Sequence, residues 1–366
     1  MPIYEQKLQN DIAEIKKEVS KLGEMVIQAL ADSVSALFNG DDQLASLTVL
    51  RDFPINRQCL RLNKQCHTFI ARHLPSAGHL RMVTSVIQMV MELERVGDYA
   101  RTISREAIHM HHAPEGKVQH DLQKMAKHAQ EILQLSMQAF ASENVQLARS
   151  THLASKQGGI DLELIFQDLI DSCDGGGGRE MAIRLLDLQS IAYMLERVIN
   201  RAANVCEEIL FILAGEIVPT RRQEILFVDQ DGTVLAPLAE AVARKGYGEL
   251  AGFRSAGRTV TGTIGQPLAD FMQNNGLTTH KVRPVNMEQI LPDLEDVNII
   301  ISFQDVVKQS GWAIPFHTTV LEWQVGMPPS EGMEQAECMA QYEEIYRSLA
   351  GQLALLMGML VGEAED

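Results

Sequence analysis

Leu8, Ile12, Ile15, Val19, Leu22, Val26 and Leu30 recur at spacings of three and four with polar residues between them, the period of an amphipathic helix. This pattern predicts a helix from residue 4 to the break Asn39-Gly40-Asp41-Asp42, where the glycine stops one helix and the aspartates cap the next. A second helix is predicted over about 42–73, ending near Leu74-Pro75, and a third over about 77–112, ending before Pro114-Glu115-Gly116. Three more follow, over about 117–141, 143–173 and 178–214. The third and sixth share a phrase, LERVGDYART at 93–102 and LERVINRAAN at 195–204, whose glutamates stand 102 residues apart. Three helices, a break and three helices, with one phrase in the last of each set, imply an internal duplication. Each copy is long enough for its own three-helix bundle.

After Gly215-Glu216-Ile217-Val218-Pro219 the pattern changes. ILFV (225–228), VNIIIS (297–302) and TTVLEW (318–323) are short β-branched runs, helical stretches such as 237–245 and 267–274 lie between them, and a last helix is predicted over about 334–360. Strands alternating with helices predict a parallel sheet covered on both faces. The run Gly175-Gly176-Gly177-Gly178 has Arg-Glu-Met after it and sits between predicted helices. A phosphate loop needs a strand before it and Lys-Ser or Lys-Thr after it, so the run reads as a helix–helix turn.

Composition sharpens the boundary. Of the formal charge of −16, residues 1–222 carry −4 and residues 223–366 carry −12. An acidic chain is repelled by nucleic acid and by anionic membrane surfaces, so neither is expected as a partner. No apolar run reaches the roughly 18 residues needed to cross a bilayer, and no secretory signal is visible at MPIYEQKLQND, which predicts a cytoplasmic protein without direct membrane insertion. Five scattered cysteines (Cys59, Cys66, Cys173, Cys206, Cys338) fit a reducing compartment.

Glu94 and Asp98 are four apart, as are Glu196, Asn200 and Asn204, so each set lies along one helical face. Asp52 and Asn56 in the first copy and Asp161 in the second stand on preceding helices, from which they could complete an all-oxygen site of the kind that suits Mg, Mn, Ca or iron. The plainer reading, solvated helix faces with internal Glu–Arg pairs, is favoured by spacing alone. Gly97 costs about 1 kcal/mol against alanine inside a helix, which predicts a close approach at that point. His109, His111 and His112 end the third helix; such a tract can take metal, but histidines favoured by a helix C-terminus explain it more simply.

The phrases VIQALADSVSALFNGDDQLA (26–45), ARHLPSAGHLRMV (71–83), MELERVGDYARTI (91–103) and YMLERVINRAANVCEEILFILAGEIV (193–218) resemble the PhoU family of phosphate-signalling regulators across both copies. The resemblance implies a metal ion (Fe, Mn, Mg or Zn) on each acidic face. It also implies an adaptor that binds the ATPase of a phosphate ABC transporter and a sensor histidine kinase, with a homodimer allowed and membrane association only through partners. Carried over by position, the first site is Asp52, Asn56, Glu94 and Asp98, with Thr102 where the family has asparagine. The second keeps Asp161, Glu196 and Asn204 but has Asn200 and Gln157 where acids are usual, which predicts weaker or absent cation binding there.

Residues 224–360 resemble the low-molecular-weight tyrosine phosphatases and related arsenate reductases. ILFVDQDGTVLAPLAEAVARKG (225–246) fits the first strand, loop and helix, FRSAGR (253–258) a strand end, QPLADFMQNNGL (266–277) the next helix, and VLEWQVGMPP (320–329) the acid loop. That chemistry needs a thiolate, an arginine six residues on and an acid for the leaving group. Those positions hold Asp229, Leu235 and Met327, so a pseudophosphatase is expected, not an enzyme. The chain is thus expected to be multidomain: all-α, as two three-helix bundles at 1–114 and 115–222, then an α/β doubly wound domain at 223–366. The expected role is regulation of phosphate uptake and phosphate-responsive signalling. A metal-sensing or metal-storage helical protein, or a phosphatase or arsenate reductase with a helical regulatory half, are the alternatives.

Overall fold

The computed structural model of the chain describes residues 3–157, 179–217, 222–260, 262–277, 284–315, 317–330 and 332–361. These form two compact units, Met1–Val218 and Pro219–Asp366.

The first unit contains helices α1 (Ile3–Asn39), α2 (Asp42–His73), α3 (Ala77–Met110), α4 (Gly116–Ala141), α5 (Val145–Gln157) and α6 (Arg179–Ala214). Asp161, Cys173 and the glycine run 175–178 lie outside the described residues. The helix ends follow the local chemistry. Gly40 takes the left-handed φ of +64° that closes α1, and the Asp41 carboxylate accepts the Leu44 N–H at 2.9 Å to cap α2. At the far end of α2, Leu74 adopts φ +44° and donates its N–H to the Ile70 carbonyl, and Pro75 follows. Pro54 is accommodated inside α2.

The apolar stripe of α1 is buried as its period predicts: Ile15, Val19, Leu22, Val26 and Leu30 are fully enclosed. They share one continuous core with Leu93, Val96 and Ile103 of α3 and Leu195, Val198 and Val205 of α6. The two bundles expected at 1–114 and 115–222 therefore lie within one compact unit, because the helices carrying the repeated phrase make its most extensive contact. Contacts between Glu92 and Arg201, Glu106 and Ser190, and His109 and Asp187 show that α3 and α6 run antiparallel along one another.

The second unit is a four-stranded, all-parallel sheet in the order β2-β1-β3-β4, built from β1 (Gln223–Asp229), β2 (Ala251–Gly257), β3 (Ile299–Phe303) and β4 (Thr319–Trp323). One face packs against α7 (Leu235–Tyr247), α8 (Gln266–Asn274) and α11 (Gln335–Val361) around Phe227, Phe253, Phe303 and Trp323. The other buries Leu226, Val228 and Ile300 beneath α9 (Met287–Ile290), the 3-10 turn Leu291–Asp296 and α10 (Val306–Ser310). Helices on both faces of a parallel sheet are the doubly wound arrangement that the alternating runs predict. No helix among the described residues is long and apolar enough to cross a membrane.

Candidate functional site

The helical unit assembles the first copy of the acidic face where α2 meets α3. Gly97 allows this: a Cβ built there would stand 3.2 Å from Cγ2 of Ile55, so the close approach expected from the sequence is made by α2 itself. Ile55 lies between Asp52 and Asn56, and its seat on Gly97 brings those two polar residues alongside Glu94 and Asp98.

Asp52 is buried, and its Oδ2 accepts from Asn56 Nδ2 at 3.0 Å and from the Arg101 guanidinium at 2.5 Å. The same guanidinium reaches Asp98 Oδ1 at 2.9 Å. Arg101 thus supplies the positive charge between the acids of the two helices. Compensation is incomplete, since Asp52 Oδ1 and Asn56 Oδ1 are buried without a hydrogen-bond partner. Burial, then the neighbouring Asp98 and Asp52, pushes the Glu94 carboxyl above its ordinary value, with Arg95 and Arg101 opposing. Burial likewise raises Asp98, against the pull of Arg101. Among the described residues Asp52, Glu94 and Asp98 do not bring one carboxylate oxygen each within 4.8 Å of the other two. The donor chemistry, two orphaned buried acceptors and two carboxyls held toward neutrality, fits a hard cation on the condition that Arg101 yields its place and the carboxylates close in.

The second copy is arranged differently. Glu196 is half-buried and Asn200 is exposed. Asn204 turns its amide across to Glu92 of α3 at 3.2 Å, where Arg201 also binds at 3.1 Å. Asn204 is thus engaged with α3, and Asp161 lies outside the described residues. Sequence reasoning missed Arg101 and Glu92. Arg101 had a legible signal, a basic residue one turn beyond Asp98 on the same face. Glu92 is legible only as an i,i+3 partner of Arg95; its role across the helices is not, since Arg201 and Asn204 stand more than a hundred residues away.

In the α/β unit the loop after β1 is a cradle of backbone donors opening on the N-terminus of α7, the place where such folds take anions. Here it holds a side chain of its own. Asp229 is 2% exposed, and its two oxygens accept Gly232 N–H at 2.6 Å and Ala236 N–H at 2.9 Å. Gly232, at φ +69°, lets the loop turn back against Gly257 at the end of β2, where a Cβ on either glycine would meet backbone at 3.0 Å or less. Burial pushes the Asp229 carboxyl up to about 6, with Asp231 adding to the rise and the Ala236 and Gly232 N–H groups opposing it. Leu235 is buried at the start of α7, and Met327, in the loop after β4, is 69% exposed. Neither side chain can grip an oxyanion or deliver a proton.

Residues 19–107 match the family model of the PhoU domain. The phosphate-specific transport system accessory protein PhoU of Serratia marcescens is 27% identical over 211 residues, covering 56% of this chain and 84% of that protein. The solved PhoU of Pseudomonas aeruginosa superposes with a TM-score of 0.53 at 24% identity over 57% of this chain and 99% of its own, which shows the fold of the helical unit. An arsenate reductase in its phosphate-binding state matches the C-terminal part with a TM-score of 0.30 at 14% identity, over 36% of this chain and 98% of that one.

Proposed function

We propose that this chain is a regulator of phosphate transport, acting through contacts of its helical unit with the ATPase of a phosphate ABC importer or with a sensor histidine kinase. The observation that carries the reading is the PhoU-like helical unit, with the repeated phrase placed on two antiparallel central helices. The first acidic face adds a means of adjustment. A divalent cation held by Asp52, Asn56, Glu94 and Asp98 would cross-link α2 to α3 electrostatically, in competition with Arg101. The α/β unit serves as a non-catalytic appendage, because Asp229 fills the cradle that a phosphoryl group would need and places a negative charge there.

The test is affinity purification of the tagged full-length chain from membranes of its native host, grown in abundant and in scarce phosphate. Enrichment of the importer ATPase or the kinase is expected. Recovery of neither in both conditions would overturn the adaptor reading. For the metal, Glu94→Gln with Asp98→Asn should lower bound metal measured by mass spectrometry, and Glu196→Gln should lower it less. Equal metal content in all three proteins would refute this assignment.

A further inference from the structure

The antiparallel crossing of α3 on α6 gathers a second set of side chains away from the repeated phrase. Glu106 and His109 lie three apart on α3, a Glu-x-x-His spacing that points both side chains the same way. Asp187 faces them from α6 and is 7% exposed. His109 Nδ1 stands 2.8 Å from Asp187 Oδ2, and Asp187 is also within hydrogen-bond contact of Glu106. One ligand atom from each of the three lies within 4.8 Å of the other two. Ligands at the ~2.0–2.2 Å of a first-row divalent ion stand ~3–4.3 Å apart around it, so the three atoms need little movement to share one.

We propose that Glu106, His109 and Asp187 form a divalent transition-metal site joining the two copies of the helical unit. Helical Glu-x-x-His with a carboxylate from a facing helix is the donor arrangement by which helix bundles hold iron, manganese and similar ions. One imidazole and two carboxylates select a metal of the Mn, Fe, Co or Zn kind over Mg or Ca. Two carboxylates in hydrogen-bond contact need a proton or a cation between them, and Glu106 is already steadied from α6, where Ser190 Oγ donates to its Oε1 at 3.2 Å. His109 is solvent-exposed, which gives the ion a way in.

The duplication supplies an independent comparison. Moving each residue by the 102-residue interval turns the set into Glu208, Phe211 and Ser85. There Glu208 has Ser85 beside it, its hydroxyl buried without a hydrogen-bond partner, and Phe211 lies under the Arg81 guanidinium, 5.7 Å from the ring centre. The same crossing is therefore built at its other end without a histidine or a second acid, so packing does not require the ligand set.

The experiment titrates the metal-free full chain with Co²⁺, following heat of binding and the paramagnetically shifted, non-exchanging ring C–H resonance of a coordinated imidazole. The wild type should show the shifted resonance. His109→Ala, a change at an exposed side chain, should abolish it and weaken this site more than ~100-fold, since losing even an outer-shell partner costs ~10–100-fold. Asp187→Asn should weaken the site as well, whereas His111→Ala with His112→Ala should leave it intact. Glu94→Gln with Asp98→Asn should keep the resonance, so loss of the other acidic face is read separately from loss of this one. Absence of the resonance in the wild type would overturn the assignment. So would its persistence in His109→Ala, or its loss with His111 and His112.

Discussion

Replacing Asp229 by asparagine tests the account of the filled cradle through the pH dependence of stability. The carboxyl is raised from an ordinary 3.8 to about 6 by burial. A raised acid contributes no penalty below its unfolded value and destabilises the native state increasingly as pH climbs through its folded one. The shift corresponds to about 3 kcal/mol, at ~1.4 kcal/mol per pH unit, lost between about pH 4 and pH 7. Asparagine keeps the shape and one carbonyl acceptor and cannot ionise; its NH₂ meets the second backbone N–H donor to donor, a cost that is the same at every pH. It should therefore behave as a permanently neutral Asp229. Whatever its stability at pH 4, the difference between variant and wild type should move in the variant's favour by about 3 kcal/mol at pH 8. Urea unfolding followed by tryptophan fluorescence reads this directly, because the two tryptophans, Trp312 and Trp323, both lie in the α/β unit. Parallel stability curves for the two proteins, or a difference moving the other way, would show that the backbone donors hold the carboxylate charged and that burial is not the dominant influence.

Arg101→Met removes the charge that bridges Asp52 and Asp98 while keeping much of the stem; the buried Asp52 then loses its cation, and the helical unit should be destabilised by ~2–4 kcal/mol in the absence of metal. Thermal unfolding by circular dichroism at 222 nm should show the loss, and added Mn²⁺ should recover part of it; an unchanged melting temperature would remove Arg101 from the account. Gly97→Val places methyl groups where even a Cβ is 3.2 Å from Ile55, and overpacking of this kind costs ~1–3 kcal/mol. Equal or higher stability of that variant would mean that α2 moves aside freely. Burial pushes the thiols of Cys59, Cys66 and Cys206 up to about 12, 11 and 12, so peptide mapping after brief iodoacetamide treatment of the native chain at pH 8 should find these three unmodified.

The helices and strands were legible because their signals are local. The spacing of Ile15, Val19 and Leu22 fixes a buried stripe, Asn39-Gly40-Asp41 fixes a stop and a cap, and the runs around Phe227 and Ile300 fix strands of a two-sided sheet. Gly97 was legible too, as a cost that only a close neighbour explains. Charge partners across the fold were not. The sequence places Glu94 and Asp98 on one face but does not say that Arg101 turns toward Asp52, or that Asn204 turns toward Glu92 and away from its own phrase. Glu106 and His109 show the same limit. Their spacing is readable, but it means little until the antiparallel crossing brings Asp187 beside them from 78 residues away.

That crossing also alters what a substitution does. Two identical subunits related by a twofold axis share one gene, so every change appears at both ends of the assembly, and a gain at one end is tied to its effect at the other. In this chain the two halves are covalent and separately encoded, and each position is written once. Phe211 and His109 occupy matching places and have diverged in chemistry without disturbing the shared spine. Duplication has made a pseudo-dimer with a head and a tail, whose ends are free to specialise independently.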